Sequence, residues 1–342
     1  MVDILYVSET NNQHDVRFEK RWRELGLSIQ RIDASQIEPQ SLLRDLKEVI
    51  AKSAPQLIQV GPFPKLPNLV LDIWSGPTLT VSWGYDLLGP DVKANDDYRE
   101  AVINAANRSS GVLVDSLASL RVLEELGTQQ GEIYYLPWGV EESFLNSERL
   151  RVSRDGDVKN KLIFITTRNH ESIYNVELVI KSFLDASVLG SKLLVAGTGS
   201  QTEHLKQVVA RNVNPLIEVE FLGRLTSEEM VEALKKSNFY ISAASVDGSS
   251  VSLLEAMALG LVPIVPNLPG NRQWVGDGAG YMFDLNTPKL TELIRQVSKD
   301  SSNSLNASMS ILASEAIAQN GDWARNSKLL RTIYEDLVEV SF

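Results

Sequence analysis

The chain contains no cysteine and only three histidines among its 342 residues. The absence of cysteine excludes disulfides, thiolate metal sites and a cysteine nucleophile. The three histidines, His14, His170 and His204, are far apart in the sequence, so they form no metal-binding motif. We therefore expect a protein that works without a bound metal.

Long apolar segments and an excess of positive charge are also missing. No apolar run approaches the roughly 20 residues that span a bilayer, and MVDILYVSET has the pattern of a buried strand followed by a polar loop, not of a signal peptide. Lys and Arg number 33 against 44 Asp and Glu, which gives a net charge of −11. This charge argues against nonspecific nucleic-acid binding and gives no support for association with an anionic membrane. We expect a soluble, cytoplasmic protein.

Short apolar runs alternate with helical patterns, as in parallel strands joined by helical crossovers. The predicted strands are ILYVS, LSIQRI, LIQVG, LTVSW, GVLVD and IYYLP in the first half, and KLIFITT, KLLVAG, IEVEFLG, FYISAA and LVPIV in the second. Because this length exceeds the usual size of one hydrophobic core, we predict two Rossmann-like doubly wound α/β domains, at 1–150 and 151–320, with a C-terminal helical segment at 321–342. The polar segment 141–160 is the predicted linker.

A turn of small residues follows the predicted strand FYISAA. Asp247 precedes Gly248, which permits a tight turn, and Ser249 or Ser250 can cap a helix that begins at Val251. The free N–H groups of such a helix N-terminus favour an anion, for example a phosphate. An ordinary helix N-terminus in an α/β domain is the alternative interpretation.

A second carboxylate, Glu255, stands after seven intervening residues and falls about one turn into the apolar helix VSLLEAMALG. A charged side chain in such surroundings needs hydrogen bonds, which the vicinal diol of a ribose would supply. A single solvated acid on this helix is the alternative.

This region resembles the retaining glycosyltransferases of family 4, which have the two-lobed GT-B fold and two acidic residues with seven residues between them. Gly260, LVPIV and LPGNRQWV are similar to the family's turn beside the donor sugar. The resemblance implies that Asp247 contacts the transferred sugar and that Glu255 binds ribose hydroxyls. Two departures from the family pattern leave the identity of the donor sugar open. Position 247 is Asp rather than Glu, and Gln273 stands where Glu is more frequent.

The strand KLIFITT is followed by Arg168, which matches the family arginine that faces the donor diphosphate. A guanidinium there would neutralise charge on the leaving group. Tyr174 stands where the family usually has lysine, so a cation is missing and only a hydrogen bond to the diphosphate remains possible. Lys181, on the following helix, is predicted to be a solvated residue. A surface arginine at a strand end is the alternative for Arg168.

Two further turns of the second half carry glycine. Gly197 and Gly199 follow a predicted strand, but Thr202 replaces the third glycine of a dinucleotide fingerprint, so a structural turn is the alternative to nucleotide binding. The later segment FLGRLTSEEM is similar to the family segment that contacts the base, which makes Gly223, Arg224 and Leu225 candidates. The capping box TSEE, which spans residues 226–229, explains the same segment structurally.

Four candidates in the first half lie in predicted strand-end loops. Gly61 ends LIQVG, and Trp83, Gly84 and Asp86 follow LTVS in a loop similar to one of the family. An aromatic face and a carboxylate suit an acceptor or the edge of the donor sugar. A packed Trp with a helix-capping Asp is the equal alternative.

The loop after the first strand, SETNNQHD, lacks the glycine pair with which many family members contact the donor phosphate. Asn11, Asn12 and His14 would make that contact instead. The alternatives are that the contact is absent and that His14 is a surface histidine.

The resemblance therefore implies a metal-independent transferase that moves a sugar from a nucleoside diphosphate sugar, its co-substrate, to a sugar, glycan or small-molecule acceptor with retention of anomeric configuration. It places the donor in the second lobe and the acceptor in the first, and it implies a last helix that crosses back to the first lobe. Two alternatives stay open. One is a nucleotide-sugar-binding protein with impaired catalysis, and the other is a sugar-nucleotide epimerase of the same fold.

Overall fold

The computed structural model describes residues 3–9, 13–128, 132–145, 162–212, 217–285, 288–299 and 304–338, with side chains from Asp15 onward in its first helix. The chain divides into two units, Met1–Pro137 with Ala324–Phe342, and Trp138–Trp323. Each unit is built around a six-stranded parallel sheet.

The first unit has the strand order β2-β1-β3-β4-β5-β6, and all its strand pairs are parallel. Its strands are β1 (Ile4–Ser8), β2 (Ile29–Asp33), β3 (Leu57–Gly61), β4 (Thr78–Val81), β5 (Gly111–Val114) and β6 (Glu132–Tyr135). Strands β1, β3, β4 and β5 are buried along their whole length, as expected for a parallel sheet covered on both faces.

The helices between these strands bury one apolar face. They are α1 (Gln13–Glu24), α2 (Leu42–Ser53), α3 (Lys65–Leu71), α4 (Tyr85–Leu88), α5 (Asp91–Ala94), α6 (Asp96–Arg108) and α7 (Leu117–Glu125). In α1, Phe18 and Trp22 are four positions apart and buried, while Val16 and Lys20 face solvent. This spacing is why the segment forms a helix against the sheet.

The second unit has the strand order β12-β11-β10-β7-β8-β9, which is the Rossmann order. Its strands are β7 (Ile163–Thr166), β8 (Lys192–Ala196), β9 (Glu218–Gly223), β10 (Phe239–Ile241), β11 (Val262–Pro266) and β12 (Tyr281–Phe283). Its helices are α8 (Glu142–Leu145), α9 (Val176–Ala186), α10 (Thr202–Ala210), α11 (Ser227–Lys235), α12 (Val251–Ala258), α13 (Pro269–Val275), α14 (Lys289–Lys299) and α15 (Ser304–Asn320).

Aromatic side chains fill the core of the second unit beneath its central strands. Phe164 of β7 stacks on Phe239 of β10 at 5.1 Å between ring centroids, and Phe183 of α9 meets Phe164 edge-on at 5.6 Å. All three rings are buried, which contributes about 1.5–3 kcal/mol each to the stability of this unit. This packing fixes β7 beside β10, which matters for the site below.

The C-terminal residues return to the first unit. The short helix α16 (Trp323–Asn326) precedes α17 (Leu329–Val338), which packs against β3. Buried Tyr334 of α17 accepts a 2.6 Å hydrogen bond from Trp22 Nε1 and donates one of 2.8 Å to Gln59 Oε1. The predicted fold class, two doubly wound lobes with a last helix that crosses back to the first, is confirmed.

Some details differ from the sequence-based expectations. Strand β12 was not predicted, because its three residues carry only a short apolar signal and only Phe283 is buried. Within the predicted linker 141–160, Glu142–Leu145 form α8 around buried Phe144, and residues 146–160 lie outside the described residues. None of the helices formed by the described residues has both the length and the apolar character needed to cross a bilayer.

Candidate functional site

The strand order of the second unit reverses between β7 and β10, which lie side by side. In open α/β sheets, ligands bind outside the carboxyl ends of the strands at such a reversal. Arg168 lies two residues beyond the end of β7, and the loop that contains Asp247 and Ser250 joins β10 to α12. The fold therefore brings Arg168 to the same sheet edge as Asp247 and Ser250, which are 79 and 82 positions away in the sequence.

Arg168 is the centre of this group. Its Nη2 donates a 2.7 Å hydrogen bond to Oδ1 of Asp247, and its Nη1 donates to Ser252 Oγ at 3.0 Å and to Ser250 Oγ. The Arg168 and Asp247 side chains are only 8% and 9% exposed. A charge-assisted hydrogen bond between buried partners is short and strong, so the guanidinium is held in a defined orientation.

Burial and charge act in opposite directions on this pair. For Arg168, burial lowers the pKa, but Asp247, together with Tyr240 and Tyr174, more than compensates and holds it above its usual value. The guanidinium therefore stays charged. For Asp247, burial raises the pKa of the carboxyl group, and Arg168 opposes the shift. The site thus contains a permanent cation whose charge is balanced by one nearby carboxylate.

Tyr174 completes the surroundings of the guanidinium. It ends a short 3₁₀ helix, Ser172–Tyr174, and its ring lies 4.2 Å below Cζ of Arg168, a cation–π contact. The predicted diphosphate candidate thus contacts the arginine through its ring face. Lys181, predicted to be solvated, is 57% exposed and pairs with Glu177 at 2.5 Å.

The loop of Asp247 is packed tightly against α13. A Cβ atom on Gly270 would lie 2.4 Å from the carbonyl oxygen of Asp247 and 2.2 Å from that of Gly248. On the same helix, Trp274 Nε1 donates a 3.4 Å hydrogen bond to Ser249 Oγ. Helix α13 therefore fixes the backbone of the loop from behind, and Gly270 is needed for this close approach.

Helix α12 begins at Val251, as predicted. Ser250 occupies the N-cap position, but its hydroxyl makes no capping hydrogen bond and accepts from Arg168 instead. Glu255 lies on α12 and is partly buried. In the described part of the chain, the Ser250 side chain therefore does not cap the first turn of α12, a helix end that favours negative charge.

The glycine turn after β8 lies against the segment that follows β7. Gly197 has φ +113°, and a Cβ atom there would lie 2.7 Å from the carbonyl oxygen of Arg168. A Cβ atom on Gly199 would lie 2.6 Å from the carbonyl oxygen of His170. Both glycines are required for this packing, which accounts for their positions structurally. They border the Arg168 segment through backbone contacts.

His170 was not singled out by its sequence context. It is fully buried, and its Nδ1 lies 2.9 Å from Thr202 Oγ1, while no partner of Nε2 occurs in the described part of the chain. Ser252 was missed as well, because a serine within a helix carries no signal of its own.

The segment after β9 forms the capping box that was the structural explanation for its sequence. Thr226 and Glu229 form a complete capping box at the start of α11. Gly223 has φ +68° and accepts a 2.7 Å hydrogen bond from the Gly197 backbone N–H. Arg224 is exposed and Leu225 is partly buried. The carboxyl ends of β8 and β9 are thereby joined beside the glycine turn.

In the first unit, Asp86 is buried, and its carboxylate is hydrogen-bonded to groups of the same unit. Its carboxylate accepts hydrogen bonds from Ser82 Oγ at 2.7 Å, from Phe63 N at 2.9 Å and from the backbone N–H groups of Trp83 and Leu87. Burial raises the pKa of Asp86, and these hydrogen bonds oppose the shift. Asp86 therefore ties the loop after β4 to the loop after β3.

The other first-unit candidates surround this loop. Gly61 ends β3, where a Cβ atom would lie 2.4 Å from the Val81 carbonyl oxygen, and Gly84 has φ +82°. Trp83 is partly exposed, and its ring meets that of Phe18 at 6.1 Å between centroids. Gly61, Trp83 and Gly84 all lie at the carboxyl edge of the first sheet.

The loop after β1 is only partly described. Asn11 and Asn12 lie outside the described residues, and His14 belongs to α1 at a position whose side chain is not described. In the described part of the chain, no three His, Asp or Glu side chains are placed to hold a metal ion.

Residues 149–314 match the model of the family described as Glycosyl transferases group 1. Comparison with curated proteins gives no match. Among solved structures, the chain is similar to HepE from Anabaena in complex with UDP and glucose, with 14% identity, a TM-score of 0.74, and coverage of 99% of this chain and 100% of that chain.

Two further structures show the same likeness. Sucrose-phosphate synthase from Thermosynechococcus elongatus has 13% identity, a TM-score of 0.79 and coverage of 100% of both chains. A glycosyltransferase from Rickettsia africae has 14% identity, a TM-score of 0.73 and coverage of 99% of both chains. These likenesses show the fold, two Rossmann-like lobes of the GT-B type.

Proposed function

We propose that the protein is a glycosyltransferase that moves a sugar from a nucleoside diphosphate sugar to an acceptor, with retention of anomeric configuration and without a metal ion. The observation that carries this proposal is the buried, permanently charged Arg168 at the strand-order reversal of the second unit, beside the first turn of α12. The match of residues 149–314 to a glycosyltransferase family supports the same reaction class.

Each part of this site has a distinct task in the proposed reaction. Arg168 and the first N–H groups of α12 bind the diphosphate and stabilise its charge as the bond to the sugar breaks. Glu255, further along α12, accepts hydrogen bonds from the ribose hydroxyls of the donor. Asp247 contacts the transferred sugar. The glycine turn at Gly197 and Gly199 borders the nucleotide.

We assign acceptor binding to the first unit and donor binding to the second. The loop after β4 offers a partly exposed Trp83 ring, which suits stacking on a sugar, and Gly61, Gly84 and Asp86 shape the loop around it. His14 is the remaining candidate for this edge. The acceptor is a sugar, a glycan or a small molecule.

UDP is the first nucleotide to test, because the Anabaena HepE structures contain UDP, UDP-glucose, or UDP with glucose. We would incubate the protein with a panel of UDP- and GDP-sugars and simple sugar acceptors, with EDTA present throughout. The proposal predicts that one donor gives a glycosylated acceptor whose new bond, read by proton NMR, keeps the donor's anomeric configuration. A product of opposite configuration would refute retention, and activity only after metal addition would refute metal independence.

A second candidate is a nucleotide-sugar-binding protein with little or no transferase activity. It is favoured by the surroundings of Arg168, whose guanidinium already contacts Asp247, two serines and the Tyr174 ring. A binder of this kind would be stabilised by a nucleotide sugar in a thermal-shift assay and would release no nucleotide over hours. A transferase would release nucleotide in proportion to glycosylated product.

A further inference from the structure

Asp247 has two tasks that exclude each other. The proposed function places its carboxylate on the transferred sugar, but in this structure the same carboxylate accepts from Nη2 of Arg168 at 2.7 Å. Nη1 of Arg168 is engaged separately, by Ser250 and Ser252. The Nη2 edge is therefore the part of the guanidinium over which a carboxylate and a phosphate would compete.

A phosphate oxygen and a carboxylate oxygen suit the same guanidinium edge. When a phosphate and a carboxylate contact the same edge of one guanidinium, the two anions repel each other, so one of them must move away. The carboxylate is the group that can move, because the backbone of Asp247 is fixed by Gly270 and a change of its side-chain torsion is enough. The serines keep the guanidinium in place while this happens.

We propose that Asp247 occupies the diphosphate position on Arg168 as an intramolecular stand-in, and that the donor diphosphate displaces it toward the sugar. This inference rests on the proposed function and couples diphosphate binding at Arg168 to sugar binding at Asp247. Asp247 is only 9% exposed, so a carboxylate pushed off the arginine loses its partner in a largely dry environment. The hydroxyl groups of the donor sugar replace that partner, whereas a nucleoside diphosphate without sugar does not.

The coupling predicts a distinct pattern of affinities. In the parent protein, UDP must displace Asp247 without compensation, so UDP binds weakly and the sugar of the matching donor adds affinity. In Asp247→Asn the competing charge is gone, and we expect UDP to bind about tenfold more tightly than in the parent. The sugar should then add little or nothing, because its partner carboxylate is absent.

Isothermal titration with UDP and with the UDP-sugars of the panel tests this, on the parent, Asp247→Asn and Asp247→Ala. Asp277→Asn is the matched control, because Asp277 belongs to the same unit, is exposed after α13, and its substitution changes the net charge equally. Two variants at position 247 guard against one of them failing to fold, which circular dichroism and thermal unfolding would reveal. We expect both folded variants to gain UDP affinity and the control to bind as the parent does.

The outcomes separate this inference from the proposed function. If the parent binds UDP and neither variant binds it more tightly than the parent, the displacement is refuted while nucleotide binding stands. The same conclusion follows if the Asp277→Asn control gains as much affinity, since the effect would then be one of overall charge. If neither the parent nor any variant binds a nucleotide, the proposed function fails and the displacement fails with it.

Discussion

The contact between Gly270 and the Asp247 loop gives a sharp test of the site, because it links a single hydrogen-to-methyl change to ligand binding. Alanine at 270 would place Cβ within 2.2 Å of the Gly248 carbonyl oxygen and 2.4 Å of that of Asp247. Both obstacles are backbone atoms, which cannot rotate away as a flexible side chain could. The loop must therefore shift, and the carboxylate of Asp247 must shift with it.

Overpacking of this kind costs about 1–3 kcal/mol in folding stability. A Cβ contact at 2.2 Å has to lengthen by about 1 Å to reach an acceptable distance. A displacement of that size would move the Asp247 carboxylate away from the place proposed for the transferred sugar and alter the start of α12. We expect Gly270→Ala to lower the affinity for UDP-sugar at least tenfold and to reduce turnover in parallel.

Gly278→Ala is the matched control. Gly278 lies in the same unit with φ +83°, so alanine there is strained, but no atom lies within 4 Å of its Cβ position. The control should lose stability through backbone strain, about 1–2 kcal/mol, and keep its affinity for nucleotide. Calorimetric titration and urea unfolding of both variants would be compared with the parent. Unchanged donor affinity in a folded Gly270→Ala protein would show that the loop position does not control the site.

Three other substitutions have expected outcomes. Glu255→Gln should weaken UDP and whole donor equally, by about 1.5–3 kcal/mol in titration, because both contain the ribose; unchanged UDP affinity would remove Glu255 from the site. Burial lowers the pKa of His170, an effect that Glu171 opposes and Lys206 reinforces. Because the folded state favours the neutral imidazole, His170 contributes to folding stability above its ordinary pKa of 6.5, and this contribution is lost as the pH falls below that value. Thermal unfolding between pH 7.5 and 5.5 should therefore depend less on pH in His170→Asn than in the parent, and equal slopes would contradict this. Tyr334→Phe leaves the Trp22 indole N–H without its acceptor and should cost about 1–3 kcal/mol in urea unfolding; a cost near zero would show that α17 is held by apolar packing alone.

The architecture was readable from the sequence because buried parallel strands are continuous apolar runs. ILYVS and LIQVG correspond residue for residue to β1 and β3. The helix after the small-residue turn begins at Val251, as expected. These features depend on local patterns of polarity and on turn residues, both of which a sequence displays directly.

The side-chain contacts of the site could not be read in the same way. Nothing in the order of residues shows that Arg168 pairs with Asp247 across 79 positions, since this contact exists only because β7 lies beside β10. The hydroxyl of Ser250 was expected to cap a helix, but a buried guanidinium next to it is a stronger hydrogen-bond partner. Asp86 likewise shows that a carboxylate in a strand-end loop can be engaged by its own loop and by a neighbouring one, here through Phe63 N.

The central claim is that the charge of Arg168 binds the diphosphate of a nucleotide, and one titration tests it directly. UDP and GDP would be titrated, in the presence of EDTA, into the parent, Arg168→Lys and Arg168→Met, each first shown to be folded. We predict that the parent binds one of the two nucleotides. Arg168→Lys keeps the charge but not the paired N–H donors of the guanidinium, so it should retain part of the affinity, and Arg168→Met should not bind the nucleotide. Nucleotide binding by Arg168→Met equal to that of the parent, or no binding by the parent to either nucleotide, would contradict the central claim.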